Sequence, residues 1–217
     1  MQYGVLGTGV VGLTLGGRLI ELGHEVRLGS RSADNEKASA WSAANGDRAS
    51  HGTFSEAAEF GERVVNATSG AASIEALRLA GAEALRGKVL IDLANALDFS
   101  QGFPPVAGIA LDDSLGERIQ REFPEARVVK TLNTINVAVT VDPGSLPAEH
   151  AMFLCGDDAT AKEEVRSLLL ELGFAPGGIV DLGGIAQARG TELYVALWVR
   201  LMGLFGDARF NISIVRA

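Results

Sequence analysis

Gln2-Tyr3-Gly4-Val5-Leu6-Gly7-Thr8-Gly9-Val10-Val11-Gly12 opens the chain, and its reading decides the fold. Tyr3 to Leu6 is a short apolar run suited to a buried strand, and from Val10 to Leu22 apolar residues recur at helical spacing until Gly23 stops them. Glu25-Val26-Arg27-Leu28 follows as a second strand, which completes a βαβ unit with the expected right-handed crossover. The three glycines of the turn do different work. Gly7 allows the tight bend, Gly9 lets the backbone approach a pyrophosphate, and Gly12 lets the helix pack closely on the strand. Free N–H groups and the helix dipole favour an anion at this helix start. The turn therefore marks dinucleotide binding, with Gly7, Thr8, Gly9, Val10 and Val11 as contact residues. The plain alternative is an empty turn of the same shape.

Outward from this unit, strands and helices keep alternating. A helix is expected from about Asp34 to Ala44, a weak strand at Thr53-Phe54, and a short helix whose cap is Ser55. Arg63-Val64-Val65-Asn66-Ala67 and Val89-Leu90-Ile91-Asp92 read as strands around a helix from Ser73 to Leu85 that Gly81 interrupts. A long loop holding Phe103-Pro104-Pro105 precedes a helix from Ser114 to Phe123 and the strand Arg127 to Lys130. A strand over Ala151–Leu154, a helix over Ala159–Leu172 and a strand over Ile179–Asp181 follow. The pattern is α/β: a Rossmann-like doubly wound, mostly parallel sheet with a small C-terminal helical extension. The expected division is residues 1–183 for the dinucleotide-binding domain and 184–217 for the helical segment. From Ile185 to Phe205 one helix is apolar over most of its circumference in its second half. Either it forms a subunit interface or acceptor groove, which implies a homodimer, or it is a core helix under the final segment Phe210 to Val215.

Composition agrees with a soluble enzyme. Glycine fills 27 of 217 positions, about 12% against a usual share near 7%, without a repeat or low-complexity run, so the glycines act as punctuation between elements. The net charge of −8 argues against a duplex nucleic-acid binder, which needs a basic face for the phosphates, and leaves room for a local basic pocket that takes a small anion. Cys155 stands alone, and His24, His51 and His150 are scattered, so neither a disulfide framework nor a metal site is expected. No signal-like segment leads the chain, and the apolar run Leu193 to Phe205 is short and broken by Arg200. The expected location is the cytoplasm, with no membrane partner.

The choice of dinucleotide rests on the end of the second strand, where an NAD site usually places a carboxylate on the ribose hydroxyls. Here the sequence is Leu28-Gly29-Ser30-Arg31-Ser32. Two hydroxyls and a guanidinium suit a 2′-phosphate, since arginine offers a planar fork to phosphate and can stack on adenine. NADP is the expected cofactor, bound by Ser30, Arg31 and Ser32, with Lys37 as an outer candidate.

These residues, with Lys130-Thr131-Leu132-Asn133-Thr134-Ile135-Asn136, Cys155-Gly156-Asp157-Asp158 and Ala188-Arg189, resemble the coenzyme F420-dependent NADP oxidoreductases. The Rossmann-like domain of membrane-bound ferric reductases shares part of the set. The resemblance spans nearly the whole chain. It implies hydride transfer between NADP(H) and a deazaflavin, coenzyme F420, with both rings over the carboxyl ends of the strands. Asn66-Ala67-Thr68-Ser69-Gly70 and Asp92 to Asp98 depart from the archaeal members, being more polar beside the acceptor ring. A flavin-like acceptor or another small-molecule redox partner is therefore also compatible.

Thr68, Ser69, Asn95, Asn133 and Thr134 follow strands and are candidates to hold the nicotinamide end without bringing charge to it; turn capping is the alternative for Asn133 and Thr134. Asp92 and Asp98 read as structural rather than as an acid–base pair, Cys155 as packing, and Asp157-Asp158 as a helix start. No catalytic residue is assigned, because ring-to-ring hydride transfer needs alignment more than a titrating group. Two other functions stay open: an NADPH-binding sensor without turnover, and a reductase of a small carbonyl or imine compound.

Overall fold

The computed structural model describes residues 1–98, 100, 102, 106–108 and 112–216; the Phe103-Pro104-Pro105 loop expected above lies outside the described residues. The first half runs β1 (Gln2–Leu6), α1 (Val10–Glu21), β2 (Glu25–Ser30), α2 (Glu36–Ala44), β3 (Ala49–Thr53), α3 (Phe54–Phe60), β4 (Arg63–Asn66), α4 (Gly70–Ala80), α5 (Ala82–Leu85) and β5 (Val89–Asp92). The second runs β6 (Leu97–Asp98), β7 (Val106–Ala107), α6 (Leu115–Glu122), β8 (Arg127–Thr131), α7 (Val137–Val141), β9 (Met152–Cys155), α8 (Ala159–Leu172), β10 (Ile179–Asp181) and α9 (Ala188–Phe205). β6 and β7 form a separate antiparallel pair; the other eight strands make one sheet in the order β10-β9-β8-β5-β4-β1-β2-β3. All neighbours in it are parallel except β8 and β9. The Rossmann-like, mostly parallel α/β architecture follows directly.

The strand order reverses at β1. The chain leaves β1 toward β2 and β3, then returns to the other side of β1 with β4, β5 and β8. In an open α/β sheet the loops diverge at such a reversal and leave a crevice outside the carboxyl ends of the flanking strands. Here those ends are the glycine turn after β1 and the Ala67–Ser69 loop after β4. Both sheet faces are covered. Tyr3, Val5, Leu15, Leu19, Val65 and Ile91 are fully buried on one side, and Leu6, Val64, Leu77, Leu90 and Ile119 on the other. Neighbouring residues of each strand thus feed opposite layers, as the period of two demands.

Two local expectations change. The weak strand lies earlier, at β3, and Thr53 rather than Ser55 caps α3. Thr53 Oγ1 accepts from Glu56 N at 3.2 Å while Glu56 Oε2 accepts from Thr53 N at 2.7 Å, a reciprocal capping box that Ser55, two residues inside, could not make. Asp158 caps α8, accepting from Ala161 N at 2.7 Å. Gly173, left-handed at φ 106°, closes that helix.

α9 is more amphipathic than its sequence suggests. It buries Ala188, Thr191, Val195 and Val199, Trp198 stacks on Phe210 with ring centroids 5.3 Å apart, and Ile212 O accepts from Ala151 N at 2.8 Å. The final segment therefore does cover part of the helix, while Leu197, Leu204 and Phe205 stay exposed.

Candidate cofactor cleft

Around the reversal point two clefts adjoin. The larger, about 540 Å³, has Gly7, Thr8 and Gly9 at one end, Ser30, Arg31 and Ser32 on the β2 side, and α4 as its far wall. The smaller, about 360 Å³, shares Ala67, Thr68 and Ser69 with it and extends past Val11 to Leu93 and Asn95.

The glycine turn has the backbone an anion requires. Gly7 sits at φ +120°, and a Cβ on Gly12 would stand 2.1 Å from Gly7 O, so neither accepts a side chain. Gly9, by contrast, faces open space. It occupies the N-cap of α1 without a side-chain cap, so the first-turn N–H groups of that helix are uncapped. The turn is bonded to β2 through Gly7 N to Gly29 O at 2.9 Å, which holds the glycine turn and the end of β2 in one frame. Beyond Gly29, Ser30 is buried and its hydroxyl donates to Ser32 O, curling the chain so that Arg31 and Ser32 are exposed at the cleft. Val10 is 72% exposed and, unlike Gly9 and Val11 on either side of it, lines neither cleft. Lys37 is exposed on α2 and stands outside the residues that line either cleft; Asn35, which caps α2, reaches the larger one instead.

Asn133 and Thr134 are placed differently from the crevice position expected of them. Both are buried and line neither cleft. Asn133 Nδ2 donates to Asn95 Oδ1 at 3.0 Å, and Asn95 Nδ2 donates back to Asn133 O at 2.8 Å, so Asn133 stands behind Asn95 and fixes the amide that does line the smaller cleft. The chain reaches this arrangement through Leu132, a buried residue at φ +60°. A branched side chain held there costs on the order of 1 kcal/mol or more, which the surrounding packing must over-determine. Asn133 Oδ1 and Thr134 Oγ1 are enclosed without a hydrogen-bond partner among the described residues.

Sequence reasoning missed the cluster beneath the clefts. Lys130 is completely buried. Its ammonium meets Asp92 Oδ2 at 2.8 Å and Glu192 Oε1 at 2.9 Å, and donates to Ala94 O. Burial opposes its charge, but the two carboxylates outweigh that and hold its pKa above the ordinary lysine value. Two carboxylates against one ammonium leave an excess negative charge, which Glu192 places on the N–H groups of Leu115 and Gly116 at 2.8 and 3.0 Å, the start of α6. Asp92 Oδ1 in turn accepts from Asn66 Nδ2 at 2.8 Å, and Asn66 Oδ1 accepts from the Thr68 hydroxyl at 2.6 Å. A continuous chain of polar contacts therefore runs from α9 through the strand ends to Thr68 on the cleft. Asp98 is exposed and belongs to β6, so it forms no pair with Asp92. The signal for this cluster was a lysine inside an apolar strand; only the fold shows which carboxylates meet it.

No described residue lining the smaller cleft titrates: its polar side chains are Thr68, Ser69 and Asn95. Among the described residues no group of three His, Cys, Asp or Glu could hold a metal ion, and no helix is long and apolar enough to cross a membrane.

The geometry can be set beside known proteins. The F420-dependent NADP reductase of Methanothermobacter marburgensis is 32% identical over 212 residues, covering 93% of this chain and 92% of that protein. The chain belongs to the F420-dependent NADP oxidoreductase family. The family model described as "NADP oxidoreductase coenzyme F420-dependent" matches residues 2–96, which hold the glycine turn, the Ser30–Ser32 segment and Asn95. A solved structure from Arthrobacter sp. FB24, described provisionally as an F420-dependent NADP reductase, is 48% identical, covers 99% of each chain and superposes with a TM-score of 0.92. Metalloreductase STEAP3 of Rattus norvegicus is 29% identical over 191 residues, but the chain spans only 36% of its length, and 19% of human Metalloreductase STEAP2. A Streptomyces aurantiacus imine reductase, at 18% identity and TM-score 0.66, shares the fold.

Proposed function

We propose that this chain transfers hydride between NADP(H) and a deazaflavin, coenzyme F420, or a flavin-like acceptor, as a cytoplasmic homodimer. The observation that carries the cofactor half is the larger cleft: an uncapped glycine-lined helix start at one end and Ser30-Arg31-Ser32 along the side. Gly7, Thr8, Gly9, Val10 and Val11 would receive the pyrophosphate, and Ser30, Arg31 and Ser32 the 2′-phosphate. A bound nicotinamide would supply or accept the hydride. Thr68, Ser69 and Asn95 orient the ring end, with Asn133 holding Asn95 and Asn66 holding Thr68; Thr134, the next residue after Asn133, is buried and lines neither cleft.

The acceptor half is supported by the smaller cleft's lack of a titratable lining residue among those described. Reduction of a carbonyl or imine needs a proton delivered with the hydride, whereas transfer between two stacked rings needs alignment and exclusion of water. The exposed apolar residues of α9, Leu197, Leu204 and Phe205, support a contact with a second copy.

The test is Arg31→Ala with NADPH and NADH compared. Loss of the guanidinium should weaken NADPH by about 1.5–3 kcal/mol, roughly 10- to 140-fold, and leave NADH within about threefold. Equal weakening of both sinks the phosphate-reading role. Purified protein mixed with NADPH and deazaflavin, flavin or ferric-chelate acceptors tests the second substrate; tight NADPH binding without oxidation by any of them would favour the sensor reading.

A further inference from the structure

One charged residue of the larger cleft is not absorbed by this assignment. Glu75, on the α4 wall, lines the cleft across from the β2 wall that carries Arg31. Its carboxylate accepts no hydrogen bond among the described residues. The nearest cation, Arg78, stands at 3.8 Å and is engaged instead by Glu122 at 2.9 Å. Beside Glu75 the wall is apolar: Ala76 and Leu79 on α4, with Phe54 also lining the cleft. A carboxylate in a cleft built for phosphates repels them wherever they approach it, so it must face a part of the ligand that donates. With the pyrophosphate at the glycine turn and the 2′-phosphate at Arg31, the adenine base is the portion left for the α4 wall. Its faces suit the apolar side chains, and its exocyclic amine is the donor farthest from the phosphates.

We infer that Glu75 is a base-specificity residue, accepting a hydrogen bond from the adenine amino group of the dinucleotide; the inference rests on the proposed NADP-binding reading. Arg31 then reads the phosphate from one wall and Glu75 reads the base from the other. Both residues are exposed, so neither is needed to hold the core.

Dissociation constants for NADPH and for its hypoxanthine analogue, in which the amine is replaced by a carbonyl oxygen, test this by fluorescence titration on wild type, Glu75→Ala and Glu75→Gln. A carbonyl facing the carboxylate loses the bond and adds repulsion, so wild type should prefer NADPH by about tenfold. Glu75→Ala should reduce that preference to within about twofold, and Glu75→Gln, whose amide still accepts, should fall between. The ratio of NADPH to NADH affinity should stay as in wild type in both variants, which separates base reading from phosphate reading. An unchanged base preference in Glu75→Ala, or none in a wild type that binds NADPH, overturns the role of Glu75 alone. Failure of wild type to bind NADPH overturns the dinucleotide reading and this inference with it.

Discussion

Replacing Lys130 with methionine keeps most of the length of the side chain and removes its charge. Asp92 would then be left at zero exposure and Glu192 at 9%, and Ala94 O would lose its donor. Removing one partner of a buried ion pair costs roughly 3–5 kcal/mol, because the remaining charge is stranded. Here the lower half of that range applies, since Asp92 keeps the Asn66 amide and Glu192 keeps two backbone N–H groups. Against a usual total stability of about 5–15 kcal/mol this is a large fraction. With a urea slope of about 2 kcal/mol per molar, the midpoint should fall by about 1.5–2 M. Urea unfolding followed by fluorescence of Trp41 and Trp198 reads it directly. A second substitution sharpens the test. Asp92→Asn neutralises one stranded carboxylate, so the double variant should be more stable than the sum of the two single losses predicts. The pH dependence has a definite sign. The Lys130 pKa lies above its ordinary value of 10.5, so its contribution is complete below that pH and is lost only as the pH rises through the folded value. The gap between wild type and Lys130→Met should therefore be flat from about pH 7 to 10. Additive losses in the double variant, or a gap that closes by pH 9, would refute a charged Lys130 shared between two carboxylates.

Two further outcomes are accessible with the same protein. Cys155 is fully buried, and burial pushes its thiol up to about 12, so an aromatic disulfide reagent at pH 8 should label no thiol in the folded chain and one per chain in urea; rapid labelling of the native protein contradicts the packing. The exposed Leu197 and Leu204 lie seven residues apart on α9, one face of the helix. Sedimentation of wild type should give two chains per particle and Leu204→Glu one, with unchanged circular dichroism; a monomeric wild type at tens of micromolar removes the homodimer.

Much of the fold was legible because its signals are local. A strand of consecutive apolar residues, a glycine turn and a helix of period 3.6 can be read within the first twenty-two residues, and α8 and β10 were bounded correctly by their caps and flanking glycines. Thr53 was missed as a cap although its signal is local: Glu56 stands three residues after it and completes a capping box, whereas Ser55 has Ala58 at that offset and can form none. The orientation of β9 was invisible: its sequence, Met-Phe-Leu-Cys, fits a buried strand of either direction, and the antiparallel pairing with β8 depends on where the chain re-enters the sheet.

At the site the division is the same. Gly7, Gly9, Gly12, Ser30, Arg31 and Ser32 are legible as candidates because the proposed pyrophosphate turn and phosphate-reading strand end would each require particular residue types at particular offsets. Glu75 could not be recognised that way, since it lies forty-four residues from Arg31 in sequence and faces the same cleft only because β4 lies beside β1 while β2 lies on its other side. Asn133 looked like a cleft residue from its place after a strand, yet the positive φ of Leu132 and the amide of Asn95 turn it inward. By itself, then, the sequence determined most of the secondary elements, the glycine turn after β1 and the hydroxyl and guanidinium groups at the end of β2, all short-range properties of the chain. Which carboxylates neutralise Lys130, which amide backs Asn95 and what faces Arg31 were decided by tertiary structure, because a buried charge or amide chooses its partner by distance in space.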